Sequence, residues 1–270
     1  MARDTGWSWK SEEPGANAGL NLRYEPGGWG DLFKSAWSLE IADALATLNP
    51  TGPLELLDPF AGAPDYPLLE PVRERLKGLP AGRLVKAVAR HGERFPSTAR
   101  LILERWGERG RAQVYDLDAA RREGWVGRAG VEVIDLQDGA EALLRPQIRP
   151  PTLVHVDPYD LFERFEGLLH RGLGAGPCVL FYLFNKAPRS VKARNRYLDL
   201  RARLGRLLEG DSRALLVGRI PSDAVLPRAY HELLFVAPPA LCSTLEGPLR
   251  QLARDLHTQL ATAGAFESTL

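Results

Sequence analysis

Seven short runs of apolar, β-branched and aromatic residues punctuate the chain: Leu54–Phe60, Ala112–Leu117, Val131–Leu136, Thr152–Asp157, Cys178–Phe184, Ala214–Ile220 and Glu232–Ala237. Most are near-continuous rather than alternating, as strands buried on both faces of a parallel sheet must be. Segments with helical spacing, such as Ala119–Gly124, Ala140–Leu144 and Leu161–Leu169, fall between the first five runs. Regular alternation of strand and helix predicts an α/β protein with a doubly wound sheet. The last two runs are separated by about ten residues that include Pro221 and Pro227, too few for a crossover helix. They are expected to pair as an antiparallel hairpin at one edge of a seven-stranded, mostly parallel sheet.

The first crossover is out of proportion. More than fifty residues separate the first two runs, where a doubly wound fold commonly uses about twenty. Helical patterns at Leu69–Leu76, Gly82–Ala89 and Thr98–Trp106, with Gly78, Pro80 and Gly92 between them, predict a helical insertion over about 67–110, above the carboxyl edge of the sheet. Ser35–Leu48 reads as an amphipathic helix leading into the first strand. Residues 1–23 are polar and contain Gly and Pro, so they are expected to be a loose segment ahead of a single domain over 24–270.

Composition changes this picture little. With 44% apolar and 26% charged residues in 270, the chain resembles an ordinary globular protein able to bury a large core. Its two cysteines, Cys178 and Cys242, have neither metal-ligand nor disulfide-framework spacing, which fits a reducing cytosol. The polar N-terminus has no apolar signal core, and the longest apolar stretch, Cys178 to Phe184, is too short for a bilayer. A cytoplasmic protein without membrane contact is expected. Charge is more informative locally than globally. The net charge is only +1, but Lys186, Arg189, Lys192, Arg194, Arg196, Arg201, Arg203 and Arg206 crowd one stretch against a single acid, Asp199. That stretch suits phosphate contact. It equally suits a solvated helix with Val191, Leu198, Leu204 and Leu207 turned inward.

Candidate chemistry lies at the carboxyl ends of the first four strands, where open α/β sheets bind ligands. Asp58-Pro59-Phe60-Ala61-Gly62 ends the first strand with an acid and a small-residue turn. Asp116 and Asp118 end the second, and either can hold a ribose hydroxyl or cap the next helix. Asp138-Gly139 follows the third, with a cap and a ligand contact both open to Asp138. Val154-His155-Val156-Asp157-Pro158-Tyr159 follows the fourth. His155 and Asp157 have no third metal ligand nearby. There is no Gly-x-Ser-x-Gly, and no Gly-x-Gly-x-x-Gly after a strand, which sets aside serine hydrolase and dehydrogenase readings.

These features, in this order and with the long first crossover, resemble class I S-adenosylmethionine (AdoMet) methyltransferases, and within them the RlmJ-type family of ribosomal RNA adenine-N6 methyltransferases. The similarity runs from about Tyr24 to about Arg254. The family's block aromatic-His-Ala-Gly-Asn-x-Ala-Asp-Val-Leu-Lys-His meets Tyr24 to Ser35 here, with Gly27, Asp31 and Lys34 matching and Glu25 and Ser35 in place of histidines. The family's Asp-x-x-Ala-Gly-Ala-Gly-x-Tyr resembles Asp58 to Tyr66, except that Pro64 replaces the second glycine. Asp157-Pro158-Tyr159 resembles the Asp/Asn-Pro-Pro-Tyr of amino-methyltransferases with one proline missing, and Ala237-Pro238-Pro239 resembles a late Asn-Pro-Pro.

The resemblance implies a Rossmann-like methyltransferase fold, AdoMet as cofactor and nucleic acid, RNA in particular, as partner. It places Asp58, Phe60, Gly62, Asp116, Asp138, Gly139 and Lys34 on the cofactor side, with Lys34 also within the reach of phosphate. It places Asp157, Pro158 and Tyr159 on the target amine, and Lys186, Arg189, Lys192, Arg194 and Arg196 on the nucleic acid. Two other classes stay open: a degenerate methyltransferase fold that binds without methylating, supported by the departures above, and an AdoMet enzyme for a small molecule.

Overall fold

The structure, a computed structural model, describes residues 27–79, 82–135, 139–144, 151–157, 161–186, 205–206, 208–221 and 229–267. Strands β1 (Leu54–Asp58), β4 (Gly110–Val114), β5 (Val131–Val133), β6 (Leu153–Val156), β7 (Val179–Lys186), β8 (Ala214–Pro221) and β9 (Ala229–Ala237) form one sheet in the order β5-β4-β1-β6-β7-β9-β8. The first five pair in parallel, while β9 runs antiparallel between β7 and β8. This is the class I methyltransferase arrangement expected from the sequence, edge hairpin included. From β1 the chain crosses to β4 on one side and later places β6 on the other. The β1/β6 junction is therefore the topological switch point, where such sheets open a ligand crevice.

Leu54, Leu56 and Leu57 of β1 and Leu153, Val154 and Val156 of β6 are buried, which is why these strands read as near-continuous apolar runs. One face of the sheet is covered by α1 (Trp29–Leu48), α4 (Thr98–Trp106) and α8 (Pro239–Glu267), through Phe33, Trp37, Ile102, Trp106, Leu245 and Leu249. The other is covered by α6 (Gly139–Ala142) and α7 (Leu161–Ala175), through Ala140, Leu168, Leu169 and Leu173. Between β1 and β4 lie β2 (Asp65–Pro67), α2 (Glu70–Gly78), α3 (Arg83–Ala89), β3 (Arg94–Pro96) and α4, with β2 and β3 paired antiparallel.

Helix α1 is buried on two sides. Phe33, Trp37 and Ile41 face the sheet, whereas Leu32, Ala36 and Leu39 pack on Val72, Leu76, Leu84, Val88 and Phe95 of the inserted segment. It begins at Trp29, earlier than the expected Ser35, because Asp31 accepts the Gly27 amide at 2.9 Å and steadies the first turn. Burial of one Leu or Phe is worth about 1.5–3 kcal/mol. Several such residues outweigh the roughly 1 kcal/mol that a glycine such as Gly30 costs inside a helix. Strand β1 stops at Asp58 rather than Phe60, since Pro59 and Phe60 already turn. Helix α8 was not anticipated from the sequence. Pro239 occupies the first position of the helix, where a missing N–H is harmless. Among the described residues no helix is long and apolar enough to cross a membrane.

Candidate functional site

The turn after β1 is held almost entirely by its own neighbours. Asp58 is buried; its Oδ1 accepts the Phe60 amide at 3.1 Å and its Oδ2 meets His155 Nδ1 at 2.7 Å. The Ala61 amide donates to the Tyr115 carbonyl at 2.9 Å, Gly62 to Asp116 Oδ2 at 3.0 Å, and Ala63 to the Tyr66 hydroxyl at 2.9 Å. Trp125 Nε1 closes the turn by donating to the Gly62 carbonyl at 2.8 Å. Gly62 has φ +65, and a Cβ there would lie 2.3 Å from the Tyr66 hydroxyl, so this position takes glycine alone. Burial pushes the Tyr66 hydroxyl up to about 12, so it accepts the Ala63 amide as a neutral phenol.

The two acids after β4 divide their work. Asp118 is the N-cap of α5 (Ala119–Glu123), accepting from Ala120 at 2.8 Å and Arg121 at 3.3 Å. Asp116 brackets the loops instead, with the Gly62 amide on one oxygen, the Asp118 amide on the other and the Arg121 guanidinium 3.6 Å away. Burial raises the Asp116 pKa above the ordinary aspartate value, against the pull of Arg121. Gly139 opens α6 so close to the turn that a Cβ would fall 2.2 Å from the Pro59 carbonyl and 3.0 Å from the Phe60 ring.

Lys34 and Asp157, drawn from sequence blocks 123 residues apart, meet directly. Lys34 Nζ forms an ion pair with Asp157 Oδ2 and a second with Asp31 Oδ1 at 3.1 Å, and lies 5.1 Å from the centroid of the Tyr182 ring. Burial pulls the Lys34 ammonium down, but Asp157 and Asp31 outweigh it and hold its pKa well above the ordinary lysine value. The Tyr182 hydroxyl meets His231 Nδ1 at 2.7 Å, with the two rings stacked at 5.9 Å. Burial lowers His231 to about 4 and raises the Tyr182 phenol, so the phenol donates and the imidazole accepts. Gly30 makes room for this pair, since a Cβ there would sit 2.2 Å from the phenol oxygen and 2.6 Å from His231 Nδ1.

Asp58, Phe60, Gly62, Asp116 and Gly139 thus gather around one turn, and Lys34 and Asp157 form an adjoining ion pair at the carboxyl end of β6. Asp138, Pro158, Tyr159, Arg189, Lys192, Arg194 and Arg196 lie outside the described residues, and Lys186 is the final residue of β7. Tyr182 and His231 were missed; their only sequence signal is a polar atom within an apolar strand. Arg94, Arg100 and Arg128 were also not singled out, yet all three pair with Asp65, just beyond the turn. Cys178 is buried, and burial lifts its thiol to about 11.

No protein-family model and no curated protein matches the sequence. Among solved structures, the chain is similar to protein LPL1258 from Legionella pneumophila str. Philadelphia 1, of family DUF519, with TM-score 0.65 and 15% identity over 88% of this chain and 94% of that one. A protein described as an rRNA methylase from Clostridium thermocellum follows at TM-score 0.40 and 9% identity, over 80% of this chain and 98% of that one. M. jannaschii TYW2, solved with AdoMet, has TM-score 0.39 and 8% identity, over 80% and 77% of the two chains. The similarity to LPL1258 establishes a shared fold, and the other two are too distant to add weight.

Proposed function

We propose that this chain is an AdoMet-dependent methyltransferase acting on an exocyclic amine of nucleic acid, with adenine N6 in RNA as the target and the RlmJ-type enzymes as its kin. The observation that carries the reading is the Lys34–Asp157 ion pair beside the switch point. The residues that would hold the cofactor are those of the turn after β1, where Gly62 and Gly139 permit close packing and Asp58 and Asp116 fix the Phe60 and Gly62 amides. When bound, AdoMet supplies an electrophilic methyl group. Asp157 would accept an N–H of the target amine and fix the direction of its lone pair. Lys34 pairs with that carboxylate and aims it, so the carboxylate charge would offset the positive charge that develops on the nitrogen as it is alkylated. Arg94, Arg100 and Arg128, three guanidiniums against the two carboxylates Asp65 and Glu104, offer a surplus of positive charge for phosphate.

The test is transfer of labelled methyl from AdoMet to unmodified ribosomal RNA by the wild type and Asp157→Asn, with the product nucleoside identified by mass spectrometry. N6-methyladenosine formed by the wild type and lost in the variant supports the reading. A protein that binds S-adenosylhomocysteine but labels no RNA removes the substrate assignment.

A second reading, a binding protein on a degenerate methyltransferase fold, is favoured by one specific observation. The amides of residues 60 to 63 all donate to protein acceptors, and Pro64 stands where the resemblance expects glycine, its carbonyl accepting the Ser97 amide at 3.0 Å. Absence of S-adenosylhomocysteine binding at millimolar ligand would favour this reading.

A further inference from the structure

We propose that an open cavity bounded by α1, α3, α4 and the turn Gly107–Arg109 is a binding site for a phosphate group. The site goes beyond the AdoMet reading and does not depend on it. The cavity measures about 340 Å³ and is lined by Asp43, Ala46, Thr47, Arg83, Arg105 and Arg109. That volume falls within the roughly 300–1,000 Å³ of small-molecule sites. Asp43 stands nine residues along α1 from Lys34, about 13.5 Å at 1.5 Å per residue, and Arg109 immediately precedes β4. The cavity is therefore separate from the switch point and lies toward the amino ends of the strands.

Three local features build it. Trp106 Nε1 donates to the Ala42 carbonyl at 3.0 Å and pins the end of α4 against α1. Its neighbour Arg105 thereby reaches Asp43, while Arg83, the first residue of α3, meets the same carboxylate at 2.7 Å and Glu40 at 2.5 Å. Gly107, with φ +60, ends α4 and turns the chain so that Arg109 donates to the carbonyl of Asn49, the C-cap of α1. Two guanidiniums anchored on one carboxylate, and a third on a helix end, are held in place before any ligand arrives, so binding costs them less freedom.

Charge and donor geometry select the occupant. Arg83, Arg105 and Arg109 face Asp43 in the cavity and Glu40 beside it, an excess of one positive charge. Glu108, exposed next to Arg109 in the chain, does not line the cavity. Arg109 has no carboxylate partner among the described residues. A guanidinium carries five N–H donors in a planar fork, and these contacts engage one nitrogen of each. The Arg83 and Arg105 side chains are 53% and 54% exposed, which leaves their other donors open to a ligand. A phosphate matches this set, because it brings negative charge and enough oxygens to pair with more than one fork at once. A carboxylate, with two oxygens, fills a single fork.

The experiment compares the full chain as wild type, Arg109→Gln and Arg90→Gln, the last removing an exposed charge outside the cavity. Melting temperature is followed against inorganic phosphate at constant ionic strength, which reports affinity because a ligand of the folded state stabilises it. In parallel, fluorescence anisotropy of a short labelled RNA reports binding of a phosphodiester backbone. The expected result is a loss of about tenfold to hundredfold in affinity in Arg109→Gln, the size of one hydrogen bond to a charged group, and none in Arg90→Gln. Such a selective loss for the RNA assigns the phosphate to a nucleic-acid strand. A selective loss for inorganic phosphate alone assigns it to a free anion or a small phosphorylated molecule. Arg83→Gln, on another element, repeats the test if Arg109→Gln melts well below wild type without ligand. No selective loss with either probe, whether because neither binds or because the arginine variants behave alike, would overturn the site. None of these outcomes bears on the AdoMet reading, which S-adenosylhomocysteine binding decides separately.

Discussion

Gly30→Ala is the substitution whose consequence the structure sets most sharply. On an exposed helix it would stabilise by about 1 kcal/mol, because alanine is the better helix former. Here the added Cβ would lie 2.2 Å from the Tyr182 hydroxyl, 2.6 Å from His231 Nδ1 and 2.8 Å from His231 Cε1. These atoms cannot step aside freely, since they are held to each other at 2.7 Å with their rings stacked. Forcing an extra methyl into packed side chains costs about 1–3 kcal/mol. Breaking the phenol–imidazole bond and leaving its buried ends unpaired costs about another 1–3 kcal/mol. Subtracting the propensity gain, the net loss is about 1–5 kcal/mol. Urea denaturation of wild type, Gly30→Ala and Gly30→Ala/Tyr182→Phe measures it, and the double variant should recover part of the loss because the closest contact is gone. A Gly30→Ala protein as stable as wild type, or more so, would refute the placement of Tyr182 and His231 against the start of α1.

Three further outcomes are expected. Lys34→Met, which strands two carboxylates, should cost about 3–5 kcal/mol, and adding Asp157→Asn should restore at least about 1 kcal/mol, whereas simple additivity in denaturation would argue against the ion pair. His231 titrates at about 4 when folded against an ordinary 6.5, so the unfolded chain takes up the proton first and stability falls as pH drops through that window. The loss attributable to this residue is about 3 kcal/mol at roughly 1.4 kcal/mol per pH unit, and the gap between wild type and His231→Gln in denaturation at each pH should shrink accordingly. Gly62→Ala combines a left-handed backbone with a Cβ only 2.3 Å from the Tyr66 hydroxyl, and should destabilise by about 2–4 kcal/mol; a neutral effect in thermal or urea melts would contradict the turn described above.

The sheet was legible in the sequence because strands covered on both faces must be mostly apolar, and Leu54–Leu57 and Leu153–Val156 are, with Glu55 and His155 the exceptions. Strands β2 and β3, three residues each, are too short to show any period. Helix α8 was not anticipated, although Leu241, Leu245, Leu249 and Leu256 stand at helical spacing. At the site, Lys34 and Asp157 could each be singled out from a local motif, but nothing local says that they touch. Their contact is a product of how α1 lies across β6. The same holds for Tyr182 and His231, brought together by the antiparallel pairing of β7 with β9, and for His155, whose partner Asp58 is set by the alignment of β1 with β6. Asp116 and Asp118 looked equivalent as a string; the helix start after Asp118 makes it the cap and leaves Asp116 to bind the neighbouring turn.

Helix α1, the first described element, shares its core with Leu241, Leu245, Leu249 and Leu256 of α8, the last. Strand β9, made after β8, must also slot between β8 and β7. On a ribosome the nascent chain can therefore collapse around β1, β4 and β6 but cannot seat α1 finally until its tail has emerged. Such long-range closure is slow and exposes apolar surface while it waits. Lys34 rides on α1, so the ion pair that marks the site is among the last contacts made, and a nascent chain missing its final helix would carry every residue of the site without assembling it.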